Sequence, residues 1–153
     1  MSGIPLKTER AFTLLELLAT LAIAAVFLGA GFSYITDFEN RAHSGALELS
    51  RFFKQARVRG MASTLAYKVA PVSVSRVGVL TAANCSAATW ASDSSLILDL
   101  PGGVQFTSTT WDVCYNSRGL PDTNAFATVV DADDQMQTVE VMLGGGIRIY
   151  DGY

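Results

Sequence analysis

Residues 11–35 read AFTLLELLATLAIAAVFLGAGFSYI, and Glu16 is the only charge among them. At about 1.5 Å of rise per residue, roughly 20 apolar residues in a helix cover a hydrocarbon core about 30 Å thick. Lys7 and Arg10 stand just before the run, and no comparable basic cluster follows it within the next five residues. Basic residues beside a spanning segment hold their flank in the cytoplasm. The run therefore predicts a single pass through the inner membrane, with the start of the chain cytoplasmic and the rest translocated. An ordinary signal segment is the competing reading, and it requires a small-residue cleavage site after the apolar run. Only Gly29-Ala30-Gly31 resembles one, and the helical pattern continues through it.

Working outward, Phe38, Ala42, Gly45, Leu49, Phe52, Ala56 and Gly60 recur at alternating intervals of four and three, which places them on one helical face. Asp37, Glu39, Arg41, Glu48, Arg51, Lys54, Arg57 and Arg59 fill the positions between, and no proline occurs from Pro5 to Pro71. The expectation is one helix over about residues 12–62, apolar all round in its first half and amphipathic in its second. At roughly 75 Å it exceeds the diameter of a globule of this chain length, so part of it must project.

From Ala66 the pattern is that of strands. YKVAPVSVSRVGVL alternates, and SLILDL, GVQFTST, WDVCYN, FATVVDA, TVEVML and GIRIYDGY follow, separated by turn-forming residues. Six or seven short, mostly antiparallel strands are expected, with one face packed on the amphipathic part of the helix. Residues 116–119 (NSRG) and 144–146 (GGG) read as turns. The fold class is α+β.

Of the 153 residues, 50% are hydrophobic and 16% charged, with a net charge of −3. That balance excludes intrinsic disorder, which needs a polar, highly charged chain, and argues against a general nucleic-acid binder. One histidine and two cysteines do not supply a zinc site of those ligands. Cys85 and Cys114 lie 29 positions apart. In a translocated region they meet an oxidising compartment and a disulfide is expected, constraining the unfolded chain by about 3–4 kcal/mol. Two buried free thiols are the alternative.

Residues 7–18, KTERAFTLLELL, resemble the processing and assembly signal of type IV pilins and type II secretion pseudopilins. That signal is a short basic leader, a small residue, and then an apolar helix with a glutamate at its fifth position. The resemblance implies a pilin fold, and cleavage by prepilin peptidase between Ala11 and Phe12 with methylation of the new Phe12 amino terminus. The family has glycine before the cut. Ala11 is the nearest residue in size, and slower processing is expected. The family's proline within the helix is absent, and Gly29 and Gly31 could supply local flexibility instead.

Elementary electrostatics agrees. A carboxylate at the centre of a membrane helix costs about 2.5–3.5 kcal/mol, and such residues usually have partners. Phe12 and Glu16 share a helix face at i and i+4, so Glu16 of one subunit can pair with the Phe12 amine of a neighbour and set the stagger between them.

Residues 113–150 contain VCYNSRGLP and VEVMLGGGIRIY, and look like the C-terminal sheet of H-type pseudopilins and related minor pilins. The layout implied is a leader (1–11), a membrane and filament-core half-helix (12–35), an amphipathic half (36–62) and a β-rich periplasmic head (63–153). The implied partners are other pilin or pseudopilin subunits, prepilin peptidase, the inner-membrane assembly platform, and lipid before assembly. The resemblance implies a minor subunit at the initiating tip of a filament, with no cofactor and no enzymatic activity. A major pilin, or an anchored or secreted β-rich binding domain, is the alternative.

Other groups have a functional and a plainer reading. His43 lacks a nucleophile and a motif such as Gly-x-Ser-x-Gly beside it, so a surface or subunit-contact role is expected. Asp131, Asp133 and Asp134, with Asp122 and Asn124 nearby, are the candidate calcium ligands, although the EF-hand pattern is not met and a solvated turn is the favoured reading. Arg51, Lys54, Arg57 and Arg59 could meet nucleic acid in a DNA-uptake pilus. Ion pairs with Asp37, Glu39 or Glu48 of adjacent subunits are expected instead. Trp90, Trp111 and Tyr115 could be core or surface.

Overall fold

The computed structural model describes residues 14–35 and 40–152. The chain divides into two units, Met1–Glu39 and Asn40–Tyr153. In the first, the uninterrupted apolar run forms α1 (Leu14–Ile35), with Glu16 in its first turn. The second unit opens with α2 (Arg41–Ser63).

The expectation of one helix over residues 12–62 fails at Asn40. Its backbone is extended (φ −60°, ψ 97°) and its side chain accepts the amide of His43 at 2.9 Å. Asparagine is among the strongest residues for this role, because its short amide satisfies an amide that has no partner within the helix. An interior helical position and this cap are mutually exclusive for one residue. The expected face of α2 does hold, since Ala42, Gly45, Leu49, Phe52, Ala56 and Gly60 are all buried, together with Ala46 and Phe53. The helix stops where Thr64 takes a left-handed conformation (φ 58°).

Among the described residues eight strands follow, rather than six or seven. They are β1 (Ala66–Ser73), β2 (Arg76–Ala82), β3 (Ala91–Asp99), β4 (Gln105–Phe106), β5 (Val113–Tyr115), β6 (Ala125–Val130), β7 (Met136–Val141) and β8 (Ile147–Asp151). Residues 67–80, one alternating run in the sequence, reverse at Val74 and Ser75 without glycine or proline. The strands make two antiparallel sheets, ordered β3-β2-β1-β5 and β4-β6-β7-β8.

The inward face of α2 touches strands of both sheets. Leu49, Phe53 and Ala56 meet Val69, Val79, Val113 and Tyr115 of one sheet and Val129, Val139 and Val141 of the other in a single apolar core. Burying one such Leu, Val or Phe side chain contributes about 1.5–3 kcal/mol. Trp111 joins this core from the 107–112 crossing, its ring 5.7 Å from that of Phe53 and 5.4 Å from that of Phe106. Trp111 is half-buried, Tyr115 is fully buried, and Trp90 lies under the ammonium of Lys68, 4.5 Å from the ring centre.

Candidate assembly surface

A helix that is apolar on every side has no polar face to present to water. On α1, the side chains of Leu14, Leu15, Leu17, Leu18, Leu21, Ile23, Val26 and Phe27 are 54–79% exposed. Among the described residues no helix is long and apolar enough to cross a membrane; the side chains described on α1 run over residues 14–27, about 20 Å of helix. Ala11 and Phe12, the expected processing site, lie outside the described residues.

α2 has a second face as well. Leu47, Arg51, Lys54, Val58 and Met61 follow one another at intervals of four, three, four and three, and all are exposed. Val58, at 58% exposure, is the most exposed large apolar side chain of this helix. The basic cluster expected from sequence is therefore divided by function. Arg51 and Lys54 belong to this outer stripe. Arg59 instead reaches β3, donating to Ser95 Oγ at 2.6 Å and lying 3.6 Å from the Asp93 carboxylate.

Arg57 binds the head. Its Nη1 donates to the carbonyl of Gly145 at 2.7 Å. Gly145 forms the β7–β8 turn with φ +78°, and a Cβ there would stand 2.7 Å from Arg57 Cζ. Gly119, in the Asn116–Leu120 turn, has φ +73°, and a Cβ would stand 3.1 Å from Arg57 Nε. The two glycine turns singled out in the sequence thus close on one arginine. Tyr115 is beside it, its hydroxyl buried without a hydrogen-bond partner among the described residues. Burial pushes that phenol far above its ordinary range, against a smaller opposite pull from the Arg57 cation. Arg57 and Arg59, expected to pair with acids of neighbouring subunits, are both engaged within the chain.

The acidic cluster forms a hairpin turn, the favoured reading of its sequence. Asp131 Oδ1 accepts the amides of Asp133 and Gln135, each at 3.0 Å, and Oδ2 accepts the amide of Ala42 at 3.2 Å. Burial alone would raise its pKa, but the amides of Gln135, Ala42 and Asp133, with the charge of Arg41, outweigh it and hold the carboxyl below its usual range. Its oxygens are committed to a hairpin turn and to the first turn of α2, and the three aspartates do not converge as a cation site. Among the described residues only Cys85, Cys114 and Asp122 bring three ligand-type atoms together. The two sulfurs there are bonded to each other, with Cα atoms 5.8 Å apart. Asp122 accepts the Cys114 amide at 2.9 Å, which ties the disulfide to the bend after Pro121. His43 is exposed on α2 with its amide capped by Asn40.

Two roles were missed at the sequence level: Arg57 as the clamp of two turns, and Asp131 as a remote cap of α2. Nothing in the spacing of residues 89 positions apart signals the second.

Residues 6–32 match the prokaryotic N-terminal methylation motif. The chain is similar in structure to the minor pseudopilin EpsH of the type 2 secretion system of Vibrio cholerae, at 14% identity and a TM-score of 0.55, covering 73% of this chain and 98% of that one. It is also similar to the type IV minor pilin FimU of Pseudomonas aeruginosa PAO1, at 15% identity and a TM-score of 0.54, covering 72% and 89%. No curated protein sequence matches it. The fold is the pilin fold of these structures, a helix, here α2, packed on antiparallel sheets.

Proposed function

We propose that this chain is a structural subunit, a minor pilin or pseudopilin, held in the inner membrane and then assembled into a filament of a type IV pilus or a type II secretion system. Residues 1–11 are a leader, 12–35 the membrane and filament-core helix, 36–62 the amphipathic segment, and 63–153 the periplasmic head. Prepilin peptidase cuts between Ala11 and Phe12 and methylates Phe12. Glu16 then pairs with the Phe12 amine of a neighbouring subunit, which fixes the stagger. The subunit belongs to the initiating tip, where it meets other minor subunits and the assembly platform.

The observation that carries this reading is α1, with an apolar exposed surface all round, in the segment that matches the methylation motif. Before assembly lipid covers that surface, and in the filament other copies of the same kind of helix do. Intact-mass analysis and N-terminal sequencing of the protein from membranes of its own host test it. A chain starting at methylated Phe12 is expected. A start near Gly31 or Ser33 would identify an ordinary secreted domain and end the filament reading, and an uncut Met1 would leave only an anchor.

A further inference from the structure

The crossing segment 107–112 carries the chain from β4 of one sheet to β5 of the other, and it does not close flat against the start of β6. Between them lies a cleft of about 340 Å³, lined by Ser108, Thr110, Trp111, Asp112, Asn124 and Phe126. That volume is at the lower end of the range for small-molecule sites, which favour seams between packed layers.

Two of these residues are aromatic and differently held. Trp111 is fixed through its contacts with Phe53 and Phe106. Phe126 is 51% exposed on a strand whose alternate residues Ala125, Ala127 and Val129 are buried. An exposed phenyl group beside an anchored indole is a stacking surface.

The polar lining sets the chemistry. Among the described residues no lysine or arginine lines the cleft, so nothing described there selects an anion. Asp112 is the only charged residue of the described lining, and the Lys68 ammonium 3.5 Å from that carboxylate offsets it, which weakens the pull on a cation. What remains is neutral hydrogen bonding. The Ser108 and Thr110 hydroxyls lie 2.9 Å apart. Asn124 has its carbonyl taken by the Leu143 amide at 2.8 Å, which leaves its amide nitrogen as a donor. An aromatic surface with neutral hydroxyl and amide groups and one offset carboxylate suits a ring with an apolar C–H face and a rim of hydroxyls.

From this we infer that the cleft between segment 107–112 and β6 binds an uncharged pyranose sugar, stacked on Phe126 and hydrogen-bonded through Thr110 and Asn124. The inference is independent of filament assembly, because every group belongs to the head.

The test uses the full chain in polyoxyethylene-detergent micelles, which contain no sugar or cation. Methyl glucopyranoside, methyl galactopyranoside and N-acetylglucosamine are titrated while the two tryptophan indole N–H signals are followed by NMR. At least one sugar should shift the Trp111 signal saturably in the millimolar range and leave Trp90 in place. Phe126→Ala should weaken this about tenfold, Phe126→Tyr should restore it, and Thr110→Val should weaken it severalfold. Unchanged Trp90 and backbone signals in each variant show that the head is folded. No saturable shift with any of the three up to about 50 mM would overturn the inference, since the dissociation constant would then exceed that of even weak specific sites. A shift that Phe126→Ala leaves intact would overturn it too. So would a Trp111 response to tetramethylammonium alone that disappears in Asp112→Asn, which would identify a cation site.

Discussion

Arg57 Nη1 lies 2.7 Å from the carbonyl oxygen of Gly145, so a helix side chain holds a hairpin turn 88 positions further along the chain. The same guanidinium underlies the Gly119 turn, and both glycines have positive φ. A side chain on Gly145 would meet backbone strain and the guanidinium together. Gly145→Ala should lower stability by about 2–4 kcal/mol, of which the left-handed conformation supplies about 1–2. Arg57→Ala should cost about 1–3 kcal/mol by removing the charged donor. The double variant should be less destabilised than the sum, because Arg57→Ala removes the clash. Denaturant titration of the four proteins checks the cycle, and simple additivity would mean that the two residues do not act on each other.

Asp131 links the 131–135 turn to the first turn of α2. Its folded pKa is depressed, so its contribution is complete above the unfolded value of about 3.9 and is lost as pH falls through the folded value. Asp131→Ala should lose about 1–3 kcal/mol at pH 7 by leaving amides without an acceptor. Thermal melts from pH 7 down to about pH 2 should bring the wild type toward the variant at the acid end. Calcium should change neither melting curve.

The Cys85–Cys114 disulfide closes a span of 29 positions and ends on a buried strand. Replacing both cysteines by serine should cost about 2–4 kcal/mol in denaturant titrations. Since Asp122 also holds the Cys114 amide, the reduced head should keep its β5 register, read as unchanged amide exchange at Tyr115.

Under the proposed function, Glu16→Ala should still insert and be cut before Phe12, yet be lost from sheared filament fractions at least tenfold relative to membranes. Immunoblots of both fractions check this. Normal incorporation would show that Glu16 does not set the stagger.

Much of this architecture was legible because its causes are local. The apolar run 11–35 reads as a helix from its composition alone, and the intervals that carry Ala42, Gly45, Leu49, Phe52, Ala56 and Gly60 to one side follow from helical geometry. The turns at Gly119 and Gly145 were readable because glycine is the residue that takes positive φ without strain. The break at Asn40 was less visible, since a single asparagine inside a periodic run is compatible with either a cap or an interior position.

The sequence by itself determined a helical stretch that is apolar with one carboxylate near its start and then amphipathic, a β-rich remainder, and the motif that points to processing before Phe12. Only the tertiary structure decided what the polar side chains do. Arg57 and Arg59 carry the same charge as Arg51 and Lys54 on the same helix, yet the first two are engaged by the head and the other two remain on the surface. Asp131 reads as a surface acid until Ala42 is brought beside it. Apolar burial depends on the average pattern along a helix or strand and survives in one dimension. A hydrogen bond depends on a donor and an acceptor within about 3 Å, and residues distant in sequence reach that separation only after the sheets have packed.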